Sequence, residues 1–270
     1  MKPAPFDYLR AQSLAEAHAA LAAEGSDAAV IAGGQTLVPL LSMRMARPNL
    51  LLDIMHVEEL GGIRVENGAI RVGASVRQAD LLAWPELVER QPLLAEALPW
   101  VGHAQTRARG TVCGSVALAD PSAELPLVLA ALGGDIILSS ESGRRTVKAD
   151  GFFQGIMSTA RRDDELIEAV LFPCRRDGEK YAFREFARRH GDFAIVACAA
   201  VVTRENVRLA VGGVADRAMV RDFGADASDD ALRDFAESLE ARDDLHATAA
   251  YRRDLVRRLG HQTIEDARCA

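Results

Sequence analysis

Hydrophobic and polar positions change period several times along the chain, and the changes divide it into three parts. Leu14 to Leu21 is an alanine-rich helical run. Ser13 stands at its N-cap with Glu16 three residues on, a capping box, and Gly25 marks its end. Ala28–Ile31 is a short apolar run that predicts a buried strand. Val38–Arg44 predicts a short helix and Leu50–Ile54 a second strand, so residues 1–56 read as a small α/β unit. Apolar and polar residues then alternate over Ile63–Glu66 and Ala69–Val72 across Asn67-Gly68, the signal of a two-residue hairpin. Helices are predicted over Val76–Leu82, Pro92–Val101 and Pro126–Leu132, the last stopped by Gly133-Gly134. Strands follow at Asp135–Ser139 and Arg144–Val147, around a turn at Gly143. These elements make a second unit, residues 57–172. In the third, residues 173–270, alternation over Lys180–Arg188, Ile195–Thr203 and Val207–Val211 predicts three antiparallel strands, with Asn206 at a turn. Helical periods return over Asp229–Leu239 and Ala247–Leu259. Strands and helices in blocks predict an α+β fold rather than one doubly wound sheet.

Two glycine-bearing segments stand out against this pattern. The first, Ala32-Gly33-Gly34-Gln35-Thr36-Leu37, leaves the predicted strand Ala28–Ile31. The second runs from Thr106 through Gly110-Thr111-Val112-Cys113-Gly114-Ser115 to Glu124 and Pro126. Small residues there let the backbone turn sharply and point its N–H groups outward, which suits phosphate. Gly-Gly after a strand is, taken alone, most often a plain turn. Neither segment fits the dinucleotide fingerprint G-x-G-x-x-G or the P-loop. A pair of such loops suits a pyrophosphate held from both sides.

Composition narrows the classes. A chain of 270 residues, 49% hydrophobic, can bury a core large enough for two or three subdomains. A formal net charge of −7 and only 5% aromatic residues argue against a nucleic-acid partner. The N-terminus lacks the apolar core of a secretory leader, and no apolar run approaches the ~20 residues of a membrane span. A cytoplasmic protein is expected. Cys113, Cys174, Cys198 and Cys269 are scattered, which predicts neither disulfides nor a metal or iron–sulfur site. The six histidines show no ligand spacing.

Three strings together carry a resemblance. AGGQTLVPLLSMR (32–44), TRARGTVCGSVALADPSAELP (106–126) and FARRHGDFAIVACAAVV (186–202) resemble the FAD-binding medium subunit of the xanthine dehydrogenase, or molybdenum hydroxylase, family. The likeness is to the free-standing carbon monoxide dehydrogenase medium-subunit type and extends over essentially the whole chain. It implies a two-subdomain FAD-binding fold of the vanillyl-alcohol oxidase type, closed by a C-terminal domain of three antiparallel strands and helices. It implies non-covalent FAD, because no histidine stands in either glycine motif. It further implies Ala32, Gly33, Gly34, Gln35, Thr36 and Leu37 at the pyrophosphate, met by Thr111, Cys113, Gly114 and Ser115 from the second subdomain. Glu124 falls on a position that contacts the adenosine side. Val101 and Ile167 fall on apolar positions lining the cofactor, Arg184 or its neighbour near a basic position by the flavin, and Phe193 where an aromatic side chain approaches the ring.

The implied function is electron transfer within a hetero-oligomer. A large molybdopterin-binding subunit and a small [2Fe–2S] subunit are the implied partners, so the molybdenum cofactor and the clusters belong on other chains. FAD here would take electrons from a partner's cluster and pass them to an external acceptor. The chain departs from the family pattern where Cys113 replaces a glycine, and also at Ala108 and Leu118. A glycine that needs a positive φ would leave cysteine strained at 113. Two other readings follow: a self-sufficient flavin oxidoreductase of the same superfold, or an assembly subunit that has lost its flavin. No acid or base is assigned; His190, beside the Gly191 turn, is the nearest candidate and reads more simply as a loop histidine.

Overall fold

In the computed structural model, which describes every residue except Met1 and Asp226, three main sheets follow one another along the chain. The first is built by β1 (Asp7–Arg10), α1 (Leu14–Glu24), β2 (Ala28–Ile31), α2 (Leu37–Ser42) and β3 (Leu50–Asp53). Its strands are parallel in the order β1-β3-β2, with Asp7 and Ala28 each opposite Leu50. Ser13 caps α1 by accepting from the Glu16 N–H at 3.2 Å, and Glu16 reaches back to the Gln12 N–H at 2.7 Å. From α1, the buried His18 ring reaches Ser139 Oγ at 2.9 Å, which fastens this unit to the next sheet.

The second sheet is antiparallel. Its elements are β4 (Ile63–Glu66), β5 (Ala69–Gly73), α3 (Gln78–Leu82), α4 (Leu87–Arg90), α5 (Pro92–Ala97), α6 (Ala104–Arg107), α7 (Val112–Leu118), α8 (Glu124–Leu132), β6 (Asp135–Ser140), β7 (Gly143–Lys148), α9 (Ala149–Phe152), the small pair β8 (Phe153–Gly155) and β9 (Ser158–Thr159), and β10 (Leu166–Pro173). The main strand order is β4-β5-β10-β6-β7. Asn67 and Gly68 both have positive φ, 49° and 75°, the conformation a tight hairpin of this twist requires. The helix expected from Val76 begins only at Gln78. Val76 O and Gln78 N are bonded instead to Val112 N and Gly110 O, at 3.1 and 2.8 Å. The helix expected to reach Val101 stops at Ala97, and the chain tightens into a 3₁₀ turn over Leu98–Trp100, which contains Pro99.

The third sheet, β11 (Lys180–Phe186), β12 (Val196–Val202), β13 (Asn206–Gly212) and β14 (Met219–Gly224), is antiparallel and ordered as in the chain. It has four strands where three were expected. The fourth lies at the edge and buries only Phe223, so its residues carry no alternation. Tyr181, Phe183, Ala197 and Ala199 join the core of the first two units. Ala182, Val196, Cys198 and Ala200 pack on the other side, in a core shared with α10 (Asp229–Ser238) and α11 (Ala249–Cys269). A sheet covered on both faces needs apolar residues at successive positions, which is why Ala194–Val202 reads as an almost unbroken apolar run. Among the described residues no helix is long and apolar enough to cross a membrane. The four cysteines are free, and among the described residues no cluster of ligating side chains could hold a metal ion.

Candidate cofactor site

A cavity of about 750 Å³ opens between the first two units and touches the third. It begins where β2 ends. The chain turns at Gly33-Gly34, Gly34 taking φ +70°, and enters α2. The α2 ladder starts with the Val38 N–H bonded to Gly34 O at 3.0 Å, so the amides of residues 34–37 precede it and stand at the cavity. Gly33 packs directly on the second segment: a Cβ there would meet Arg109 O at 2.3 Å. The two glycine-bearing segments, more than seventy residues apart in sequence, are therefore in backbone contact.

The second segment is not a loop at residues 112–115 but the first turn of α7. Thr111 is its N-cap, accepting from the Gly114 N–H at 3.1 Å. The Val112 N–H goes to Val76 O. Neither bond uses the Cys113 amide. Cys113 has no positive φ; it lies within α7, 3% exposed, with Sγ 3.5 Å from Val72 O. The suspicion of backbone strain at this residue is thus removed, because a helical position accepts any L residue. Burial pushes its thiol up to about 12, so it stays protonated and inert.

Ala32, Gly33, Gly34, Gln35, Thr36, Leu37, Val101, Thr111, Cys113, Gly114, Ser115, Glu124, Ile167 and Phe193 all line this one cavity. Arg184 does not. On β11 its side chain turns the other way and pairs with Asp266 of α11. Phe193 is 64% exposed at the cavity's edge. Its approach is set by Gly191, with φ +89°, and by His190, whose ring lies 4.7 Å from that of Trp100.

Several lining residues carry no mark in the sequence. Gln78 is 5% exposed and its Oε1 is buried without a partner, while Nε2 donates to Thr111 O at 3.4 Å. Met157 lines the cavity in a left-handed conformation, φ 52°, with its N–H on Ala119 O. Arg161 also lines it, with its Nη1 donating to the carbonyls of Arg162 and Glu165 at 2.8 and 2.7 Å. Glu165 is itself bound by Arg145 at 2.5 and 2.8 Å, which holds its carboxyl below the usual range. Glu124, 5% exposed at the start of α8, is instead pushed up to about 7 by burial. The arrangement offers backbone amides for an anion, buried acceptors for hydroxyl donors, and an apolar wall at Val101, Leu166 and Ile167 for a flat ring.

Comparison with known proteins agrees with this geometry. Residues 4–175 match the family described as the FAD binding domain in molybdopterin dehydrogenase. Residues 181–267 match the CO dehydrogenase flavoprotein C-terminal domain. The 6-hydroxypseudooxynicotine dehydrogenase complex subunit alpha of Paenarthrobacter nicotinovorans is 37% identical, over 99% of this chain and 96% of that one. The caffeine dehydrogenase subunit beta of a Pseudomonas species is 40% identical over 77% of this chain and 71% of its own length. Among solved structures, carbon monoxide dehydrogenase from Hydrogenophaga pseudoflava superposes with a TM-score of 0.92 at 32% identity, covering 100% of this chain and 99% of that chain. Quinoline 2-oxidoreductase from Pseudomonas putida 86 superposes with a TM-score of 0.91 at 33% identity, covering 99% and 98%. This chain belongs to the family of FAD-binding medium subunits of the molybdenum hydroxylases.

Proposed function

We propose that the chain carries FAD between the electron-donating and electron-accepting partners of a molybdenum-containing hydroxylase or dehydrogenase. The observation that carries this reading is the meeting of residues 33–37 and 109–115 across one cavity. A pyrophosphate needs amide donors from both sides and no side chain between. The missing Cβ at Gly33, the uncommitted amides ahead of α2 and the Cys113 amide meet that need. The unpartnered Gln78 Oε1 and the buried Glu124 add acceptors of the kind sugar hydroxyls require. These features fit FAD.

FAD supplies the oxidation–reduction chemistry; the chain supplies binding, orientation and electrostatics. In this reading residues 1–56 and 57–172 clasp the cofactor and residues 173–270 close over it. Residues 33–37 and 111–115 hold the phosphates. Glu124 takes the adenosine side. Val101 and Ile167 bury one part of the ring system, and Phe193 stands at its open edge. A large molybdopterin-binding subunit would hold the substrate, and a small [2Fe–2S] subunit would deliver electrons. The proposed compartment is the cytoplasm, where the four free cysteines stay reduced.

The test is flavin content and metal analysis of the separately purified chain, followed by co-expression with its partners. The chain alone should hold about one FAD and no iron or molybdenum, and should oxidise no heteroaromatic or carbonyl substrate. The assembled complex should contain all three. Substrate-dependent flavin reduction by the isolated chain would favour the self-sufficient oxidoreductase instead.

A further inference from the structure

Gln78 opens α3 and is a side chain of the cavity wall whose hydrogen bonding the fold leaves incomplete. Its backbone N–H is bonded to Gly110 O at 2.8 Å, which seats the residue on the second glycine-bearing segment. The side chain is 95% withdrawn from solvent, the residue being 5% exposed. Nε2 donates to Thr111 O at 3.4 Å, while Oε1 is buried and has no donor. The amide cannot be turned end for end, because its oxygen would then face the Thr111 carbonyl, an acceptor against an acceptor. A buried amide oxygen left unpaired is costly, so this one calls for a donor.

Its neighbours in the wall do not supply one. Gly110 offers only its Cα: a Cβ there would stand 3.0 Å from Gln78 Oε1, so the glycine makes room for the amide. The Gly110 N–H is committed to Thr106 O at 2.7 Å and the Val112 N–H to Val76 O at 3.1 Å. Arg107 places Nη1 on the carbonyls of Pro99, Val101 and Gly102 at 3.2, 3.0 and 2.9 Å. The cavity is the side from which a donor can come. The terminal torsion of a glutamine is soft and the bond to Thr111 is long, so a small rotation presents Oε1 to an occupant. Position decides which part of the cofactor that is. Gln78 touches Thr111 at the proposed phosphate segment, and α3 also packs on the Leu98–Trp100 turn that leads into Val101, the start of the apolar wall. Between phosphates and ring, FAD carries the ribityl chain, which is uncharged and rich in hydroxyls. Phosphate oxygens only accept, so they give an amide oxygen nothing. The adenosine side has its own acceptor in Glu124.

We propose that Gln78 is a cofactor-binding residue whose Oε1 accepts a hydrogen bond from a ribityl hydroxyl of FAD, in the stretch between the phosphate segment and the Val101 wall. The same amide keeps its donor on Thr111, so it ties the sugar chain to the residue that caps α7. The inference rests on the FAD reading above.

The experiment crosses side-chain changes with hydroxyl deletions in the cofactor. The flavin-stripped full chain is titrated with FAD, with FADs lacking one ribityl hydroxyl at a time, and with FADs lacking one hydroxyl of the adenosine ribose. Binding is followed by flavin fluorescence. Wild type is compared with Gln78→Met, which keeps the length and loses both polar atoms. For one ribityl position, wild type should prefer FAD to the deoxy analogue by about tenfold, the effect of one hydrogen bond lost in a buried site. In Gln78→Met that preference should vanish, because the partner is already gone. Gln78→Asn, which withdraws the oxygen by one methylene, should behave likewise, and it decides the matter if the methionine variant fails to fold. Equal weakening of FAD and every analogue by the substitution would mark a merely structural role and overturn the proposal. Loss of discrimination at an adenosine hydroxyl instead of a ribityl one would overturn it too. A wild-type chain that takes up no flavin would refute the cofactor assignment itself, an outcome distinct from these.

Discussion

Gly33 lies so close to Arg109 that a Cβ on the glycine would stand 2.3 Å from the arginine carbonyl oxygen and 2.7 Å from Gly110 Cα. Both obstacles are backbone, so neither can rotate away. Gly33→Ala must push the two glycine-bearing segments apart, an overpacking cost of about 1–3 kcal/mol, and it opens the place where their amides converge. FAD affinity should fall by at least about tenfold, while the far-UV circular dichroism stays close to that of wild type. Gly62→Ala is the control. Gly62 has φ +84° and open space around it, so alanine there costs about 1 kcal/mol of backbone strain and should leave flavin content unchanged. Full flavin occupancy in Gly33→Ala would refute the placement of the phosphates.

Cys113 invites the opposite substitution, and the structure reverses its sign. Had the residue needed a left-handed backbone, glycine would have relieved strain. Inside α7 and 3% exposed, Cys113→Gly removes a packed side chain and adds helix entropy. The expected loss is about 1–2 kcal/mol of stability, measured by urea unfolding. Cys113→Ala should cost less, because it keeps the helix propensity. In wild type, alkylation at mild alkaline pH should mark the exposed Cys269 and spare Cys113 and Cys198, which mass spectrometry of the labelled chain can read.

The local features were legible because each rests on chemistry a few residues long. Ser13 with Glu16, and Asn67 with Gly68, specify a cap and a turn wherever they occur. The segments 32–37 and 111–115 were recognisable, but their contact was not, since nothing in the sequence says that Gly33 meets Arg109. Residues whose role depends on distant packing were silent. Gln78 looks like any helix-start polar residue, and the left-handed backbone of Met157 is set by its bond to Ala119. The edge strand β14 buries one side chain of six and has no face to show. Arg184 illustrates a different limit. A resemblance assigns a position along β11, whereas alternation decides the face: Tyr181, Phe183 and Glu185 turn to the first two units, Ala182 and Arg184 toward α11.

Arg252 of α11 ties together segments of the third unit that lie near the cavity's edge. It is 5% exposed and donates to Ile195 O at 2.7 Å, Gly213 O at 2.6 Å and Asp244 Oδ2 at 2.5 Å. Ile195 lies two residues beyond Phe193, so this guanidinium anchors the segment that brings Phe193 to the cavity. Arg252→Met keeps the aliphatic stem and removes all three bonds. A loss of about 2–3 kcal/mol is expected, chiefly from the two carbonyls left unpaired, since Asp244 is half-exposed and can turn to water. Chemical unfolding should show the loss, and hydrogen exchange should place it in β12 and α11. An unchanged unfolding midpoint would mean that the carbonyls find other donors.

Stability should fall as pH rises through the neutral range, against the usual trend for carboxylates. Glu124 and Glu185 are raised from an ordinary 4.5 to about 7 and about 8. A folded state that binds protons more tightly than the unfolded chain is favoured while those protons are on. Their contribution is complete below 4.5 and is lost as pH climbs through the two raised values. Other groups act in the opposite sense at lower pH. Glu165 is lowered by Arg145, so its contribution is present above its ordinary 4.5 and disappears in acid. His18 is lowered by burial beneath 6.5, and the ring must be neutral to stay inside, so it too disfavours the fold as pH drops. Above 6.5 these opposing groups are spent, and the buried thiols act only from their ordinary 9.0 upward, so the decline toward pH 8 belongs chiefly to Glu124 and Glu185, both raised by burial. Denaturant midpoints of the flavin-free chain across that interval should fall for wild type, less for either single glutamine variant, and hardly at all for Glu124→Gln combined with Glu185→Gln. A wild-type midpoint that rises or stays level over the same interval would show that the two carboxyls do not hold their protons in the folded chain.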